Sequence, residues 1–195
     1  MKIVLASGNR GKLGELRTLL EPLGISVESQ AALGIRPAPE EQLTFAENAL
    51  EKARHAARQS GLPAMADDSG LVVPVLGGAP GIRSARYAGT DGDAAANNAK
   101  LVAALADVEH PAAHFYCALV YLRHPEDPAP LIATARWHGT IVREPRGSGG
   151  FGYDPHFYLP DLGRCAAELS ADEKNRRSHR GQAMAALLGQ LREEI

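Results

Sequence analysis

Two adjacent aspartates stand between two apolar runs: Leu62 to Ala66 leads into Asp67-Asp68-Ser69-Gly70, and Leu71 to Val75 follows. No other stretch constrains the fold as much. The flanking runs draw the segment toward a core, where neighbouring carboxylates repel one another and lose hydration. A fold that accepts this stretch has to bring counter-charge to it, and a bound divalent cation is the commonest way. The stretch reads as the metal and water end of a phosphate-ester hydrolase site. Asp, Ser and Gly also favour turns, so a turn is the competing reading.

A second polar stretch has the opposite character. Ile3 to Ala6 reads as a short buried strand that runs into Ser7-Gly8-Asn9-Arg10-Gly11-Lys12. A helix follows, with Leu13, Leu16 and Leu20 on one stripe and Pro22 and Gly24 closing it. Strand, polar glycine loop and helix together aim free backbone N–H groups and the positive end of a helix dipole at whatever fills the loop, which suits phosphate. Lys12 adds a full charge. A Walker loop is excluded, because Ala6 stands where its first glycine belongs and Leu13 where its Ser or Thr belongs. An ordinary helix start capped by Ser7 or Asn9 is the competing reading.

Composition decides what else the chain can bind. At 45% hydrophobic and 23% charged, with a net charge of −2, it has neither the basic excess of a nucleic-acid binder nor the makeup of a disordered chain. An anionic ligand must then be held by local groups. Cys117 and Cys165 read as buried thiols in a reducing compartment. The apolar run at Met1 to Gly8 is too short for a signal peptide, and no run approaches the ~18 residues needed to span a bilayer. A cytoplasmic protein away from the membrane is expected. The 195 residues suit one domain or two closely packed lobes.

Along the remaining chain, Ile25 to Ser29 is a second strand, and Arg36 to Glu41 is a loop stiffened by Pro37 and Pro39. Thr44 and Glu47 match a capping box for a helix to about Ser60, which leaves Glu40 and Glu41 without a structural duty. Leu76 to Gly89 is a loop carrying Arg83, Arg86 and Tyr87. Asp91 or Asp93 caps an alanine-rich helix to about Asp107, with Leu101 and Leu105 inward. Phe115 to Leu122 is apolar on both faces and reads as a central strand. Leu131, Ala133, Ala135 and Trp137 alternate with polar residues and mark a half-exposed strand paired with it. Gly147 to Gly152 matches G-x-G-x-x-G, but Pro155 denies the helix of a dinucleotide fold. A flexible loop remains, displaying Phe151, Tyr153 and Asp154: two rings able to stack on a base and an acceptor beside them. Core packing of both rings is the alternative. Glu168 to Arg180 is polar and basic, and a closing helix carries Met184, Leu187, Leu188 and Leu191. The order of elements predicts an α/β fold with a mixed sheet.

Taken in order, Ser7 to Lys12, Thr44-Phe45-Ala46-Glu47-Asn48-Ala49, Ala66 to Gly70, Phe151-Gly152-Tyr153-Asp154 and Ser178-His179-Arg180 resemble the inosine triphosphate pyrophosphatase family, also called the Ham1 or RdgB type. The resemblance spans nearly the whole chain. It implies one pyrophosphatase domain over residues 1–195, an elongated central sheet flanked by helices, two lobes with an active-site cleft between them, and a homodimer. The implied reaction is hydrolysis of ITP, dITP and XTP to the monophosphate and pyrophosphate with Mg²⁺. Carried over by residue, Ser7, Gly8, Asn9, Arg10, Gly11 and Lys12 would hold the triphosphate, Arg10 through its backbone only. Asp68 would bind metal and orient or deprotonate the attacking water. Ser69 would contact substrate, and Glu40 would be the second metal carboxylate, with Glu41 its rival. Phe151, Gly152, Tyr153, Asp154, Lys174, His179 and Arg180 would form the base pocket, where Lys174 and Arg180 offer only donors and so favour a 6-keto purine. Neighbours on a strand point to opposite faces, so Asp68 rather than Asp67 is expected to face the site.

Overall fold

A computed structural model describes residues 2–8 and 10–193. Asn9, one of the expected phosphate-loop residues, lies outside the described residues. Seven strands make one sheet: β1 (Lys2–Leu5), β2 (Ser26–Ser29), β3 (Ala64–Val72), β4 (Ala112–Leu122), β5 (Leu131–Ile141), β6 (Phe157–Leu159) and β7 (Arg164–Cys165), in the order β2-β1-β3-β4-β5-β6-β7. β1 runs parallel to both β2 and β3, while β6 is antiparallel to β5 and β7. The sheet is therefore mixed, as expected. Ile3, Val4 and Leu5 are fully buried, which is the continuous apolar run that a parallel strand covered on both faces requires.

The helices are α1 (Arg10–Leu20), α2 (Phe45–Ser60), α3 (Ala94–Ala104), α4 (Ala171–Arg177) and α5 (His179–Glu193). α1 begins inside the segment expected to be loop, so Gly11 and Lys12 sit in its first turn. Gly24 closes the following 3₁₀ turn at φ 69°, a left-handed conformation that glycine adopts without strain. The Thr44 Oγ1 accepts from the Glu47 N–H at 3.2 Å and donates to its carboxylate at 2.7 Å, so the cap of α2 forms as expected. Of the two possible caps for α3, Asp93 acts, accepting from the Ala96 N–H. The helix ends at Ala104, short of Asp107. Acids at 107 and 109 would face the negative end of its dipole, which disfavours further turns.

The competing turn at Asp67-Asp68 does not occur: both residues lie within the nine-residue β3. Flanking apolar residues win because each gains burial in the sheet. The chain divides into two compact units, residues 1–68, 117–135 and 180–195 forming the first and residues 69–116 and 136–179 the second. Each has its own core. Ile3, Leu5, Leu16, Leu20, Met65, Leu119, Met184 and Leu187 pack the first. The second packs Leu71, Leu101, Phe115, Trp137, Phe157 and Leu159. The boundary inside β3 falls between Asp68 and Ser69. Both cysteines are buried free thiols, and no described helix is long and apolar enough to cross a membrane.

Candidate active site

Alternation along β3 sends its two aspartates to different helices. Asp67 pairs through Oδ2 with the Lys12 Nζ of α1 at 3.2 Å. Asp68 accepts at Oδ2 from the Asn48 Nδ2 at 3.1 Å and at Oδ1 from the Lys52 Nζ at 3.5 Å, both from α2. The same Lys52 ammonium donates to the Glu40 Oε1 at 2.7 Å. One cation thus joins Glu40 to Asp68. Asn48 and Lys52 are four residues apart and share a helix face, together with the buried Ala49, Ala53 and Ala56. Asn48 also accepts from the Gln42 N–H, which fixes the chain just after Glu40.

Electrostatics separate the two acids. Burial pushes Asp67 up, but the fields of Lys12, Lys52 and Arg180 override it and hold the carboxyl at about 2. For Asp68 burial prevails over the attraction of Lys52 and Lys12 and, with Glu40 and Asp67 adding repulsion, raises the pKa. Two neighbouring carboxyls are driven apart by their surroundings, the pattern by which acid and base roles are assigned in active sites. Lys52 shifts upward, since Asp68, Asp67 and Glu40 outweigh its desolvation. The buried guanidinium of Arg180 pairs with Glu15 on α1 at 2.6 Å.

Within the second unit, Lys174 is buried and its ammonium donates to the Asp154 Oδ2 at 2.7 Å. That ammonium lies 4.4 Å from the Phe151 ring centroid. His179, also buried, stacks on Phe115 with ring centroids 4.8 Å apart and planes 10° apart. Gly147 and Gly149 lie against the Ala167 backbone, where a Cβ at either would come within 3.0 Å, so the glycine-rich loop is anchored rather than freely displayed.

These placements sharpen the expectations. Lys12, Glu40, Asp68 and Arg180 belong to the first unit, with Ser7, Gly8, Gly11 and the backbone of Arg10; Ser69, Phe151, Gly152, Tyr153, Asp154, Lys174 and His179 belong to the second. Between the rival acids, Glu40 meets Lys52 while Glu41 is exposed. Tyr153 departs from the reading that shows it to a base: it is buried in the second core, and its hydroxyl donates to the Ser84 carbonyl oxygen. Its large ring gains more from burial among Leu71, Phe157 and Leu169 than from solvent. Phe151 stays half-exposed. The basic segment is divided, for Arg176 and Arg177 are exposed while Lys174, His179 and Arg180 are buried. Sequence reasoning missed Lys52 and the role of Asn48. The available signal was two polar residues at i, i+4 on a helix face otherwise made of alanine.

The model of the Ham1 family matches residues 3–190. The chain belongs to the Ham1 family. It is 58% identical over 194 residues to the dITP/XTP pyrophosphatase of Ralstonia nicotianae, covering 98% of this chain and 96% of that protein. Identity to the dITP/XTP pyrophosphatase of Escherichia coli K12 is 55% over 193 residues, 98% of each. Among solved structures, a Ham1 protein from Coxiella burnetii matches with a TM-score of 0.91 at 49% identity, covering 99% of both chains. The Ham1 protein of Staphylococcus aureus matches at 0.88 and 35% identity, covering both chains completely. The Ham1 fold is thus shared across the full length.

Proposed function

We propose that this chain hydrolyses deaminated purine nucleoside triphosphates, ITP, dITP and XTP, to the nucleoside monophosphate and pyrophosphate, and that residues 1–195 act as one domain within a cytoplasmic homodimer. The observation that carries the reading is the Glu40–Lys52–Asp68 cluster. It gathers two acids around one ammonium beside the strand–helix start that carries Lys12. The names of the relatives, dITP/XTP pyrophosphatases, supply the substrate class.

The donor set fits Mg²⁺. Glu40 and Asp68 are hard oxygen donors drawn to one cation, and no group of three or more metal-binding side chains occurs among the described residues. Mg²⁺ is commonly held by one or two carboxylates together with substrate phosphates, not by an all-protein cage. When bound, such an ion polarises a phosphoryl oxygen and lowers the pKa of a water. The chain's own residues do the rest. Asn48 and Lys52 hold the Asp68 carboxylate, which orients the attacking water and takes its proton. Lys12, held by Asp67, and the first-turn amides of α1 meet the triphosphate. Ser69 contacts substrate. Phe151, Lys174, His179 and Arg180 meet the base, and Lys174 and Arg180 donate to a 6-keto oxygen. A 6-amino group would leave buried donors unsatisfied, at a cost of about 1 to 3 kcal/mol per group.

Incubation with Mg²⁺ and ITP, XTP, dITP, GTP, ATP or dTTP, followed by identification of the products, tests this. Pyrophosphate released from ITP, dITP and XTP well ahead of ATP is expected. Orthophosphate as product, or equal rates with ATP and ITP, would overturn the proposal.

A further inference from the structure

Phe151, Asp154 and Lys174 form a closed arrangement within the second unit. The Asp154 Oδ2 accepts from the Lys174 ammonium at 2.7 Å and from the Phe151 backbone N–H at 2.7 Å. Both charged side chains are buried, with 7% and 3% of their surface exposed for Lys174 and Asp154. The turn from Phe151 to Asp154 is tied at two further points, the Asn98 Nδ2 donating to the Gly152 carbonyl oxygen at 2.9 Å and the Tyr153 hydroxyl to the Ser84 carbonyl oxygen at 2.8 Å. Gly150 carries a φ of +69°, and a Cβ there would stand 2.1 Å from the Asp154 Oδ2. The carboxylate occupies the space that the glycine leaves.

We infer that Asp154 is a positioning residue for base selection, fixing the Lys174 ammonium over Phe151, and that Gly150 is the residue whose missing side chain admits it. This rests on the reading that Lys174 donates to the purine 6-position. A lysine stem is flexible and its ammonium is a compact donor able to swing away from a mismatched partner. A donor that swings away imposes no penalty on a 6-amino group. One clamped by a buried carboxylate cannot withdraw, so adenine meets an unsatisfied donor while hypoxanthine meets a partner. Asp154 acts in this scheme through Lys174, not by touching the base.

The test is a double-mutant cycle on the full chain, reading kcat/KM for ITP and for ATP in the wild type, Asp154→Asn, Lys174→Met and the double variant, with melting temperatures to confirm folding. Asparagine keeps the size of the side chain and an acceptor for the Phe151 N–H but weakens the hold on the ammonium. Each single substitution should reduce the ITP to ATP preference roughly tenfold or more, and the double variant should be no less selective than Lys174→Met. Gly150→Ala should reproduce the Asp154→Asn loss when Lys174 is present and add nothing when it is combined with Lys174→Met. Lys174→Arg keeps the charge but moves the donors, and it should lower the preference as well. If Asp154→Asn costs the same factor with and without Lys174, Asp154 meets the base itself and the inference is overturned alone. Full preference in Lys174→Arg also overturns it. A wild type without ITP preference overturns the functional reading and this inference together.

Discussion

Asp67 and Asp68 differ by a single position and by which helix answers them. Asp67 faces α1 and secures Lys12; Asp68 faces α2 and is held by Asn48 and Lys52. A strand's two-residue period turns one acidic pair into two separate tasks. Asp68→Asn preserves shape and hydrogen bonding to Asn48 but removes the proton acceptor. It should lower kcat for ITP by roughly 10² to 10⁴ with a much smaller change in KM. Steady-state kinetics checks this, and a loss below tenfold would remove Asp68 from the proton-accepting role. The lysine between Glu40 and Asp68 was not apparent from the sequence, because Lys52 looks like an ordinary helix residue until α2 packs on β3.

Among the connections between elements, the loop joining β4 to β5 shows how a proline-rich segment is given a single shape. Asp127 accepts from the Arg123 N–H and Nε at 3.0 Å each and from the Arg123 Nη2 and the Ala129 N–H at 3.0 Å each. Burial pushes this carboxyl up, but the hydrogen bonds from Arg123 and Ala129 outweigh it and hold the pKa at about 2 against an ordinary 3.8. A pKa lowered by folding means that the unfolded chain binds the proton more readily, so the stabilisation is complete above the unfolded value and fades as pH falls toward the folded one. Asp127→Asn should cost roughly 1 to 3 kcal/mol at neutral pH. Urea midpoints measured from pH 6 downward should show the gap between wild type and variant closing below about pH 4. A gap independent of pH would show that the charge on Asp127 contributes nothing.

At the scale of the whole molecule, binding of the proposed substrate is read as a gain in the stability of the folded chain. A non-hydrolysable ITP analogue with Mg²⁺ binds the folded state alone. At one hundred times its Kd it should stabilise the protein by about 2.7 kcal/mol, which for a chain of this size raises Tm by roughly 5 to 10 °C. The ATP analogue at the same concentration should raise it by clearly less. Equal shifts with both would show that the base groups do not discriminate at the binding step.

Most of the elements were legible in the amino-acid sequence, because local rules suffice for them: the apolar period of α5, the Thr44 cap of α2, the alternation along β5 and the apolar run of β1. So were the residues proposed to carry the chemistry, since Asp68, Lys12 and Lys174 stand in recognisable patterns. Which of these groups meet was settled by packing. Gly11 and Lys12 joined a helix, Tyr153 went into a core, and Arg180 found Glu15 across 165 positions of the chain. Of the neighbouring acids Glu40 and Glu41, it is Glu40 that Lys52 reaches from α2. Burial and charge pairing depend on which elements pack together, and that depends on long-range contacts for which no local pattern codes.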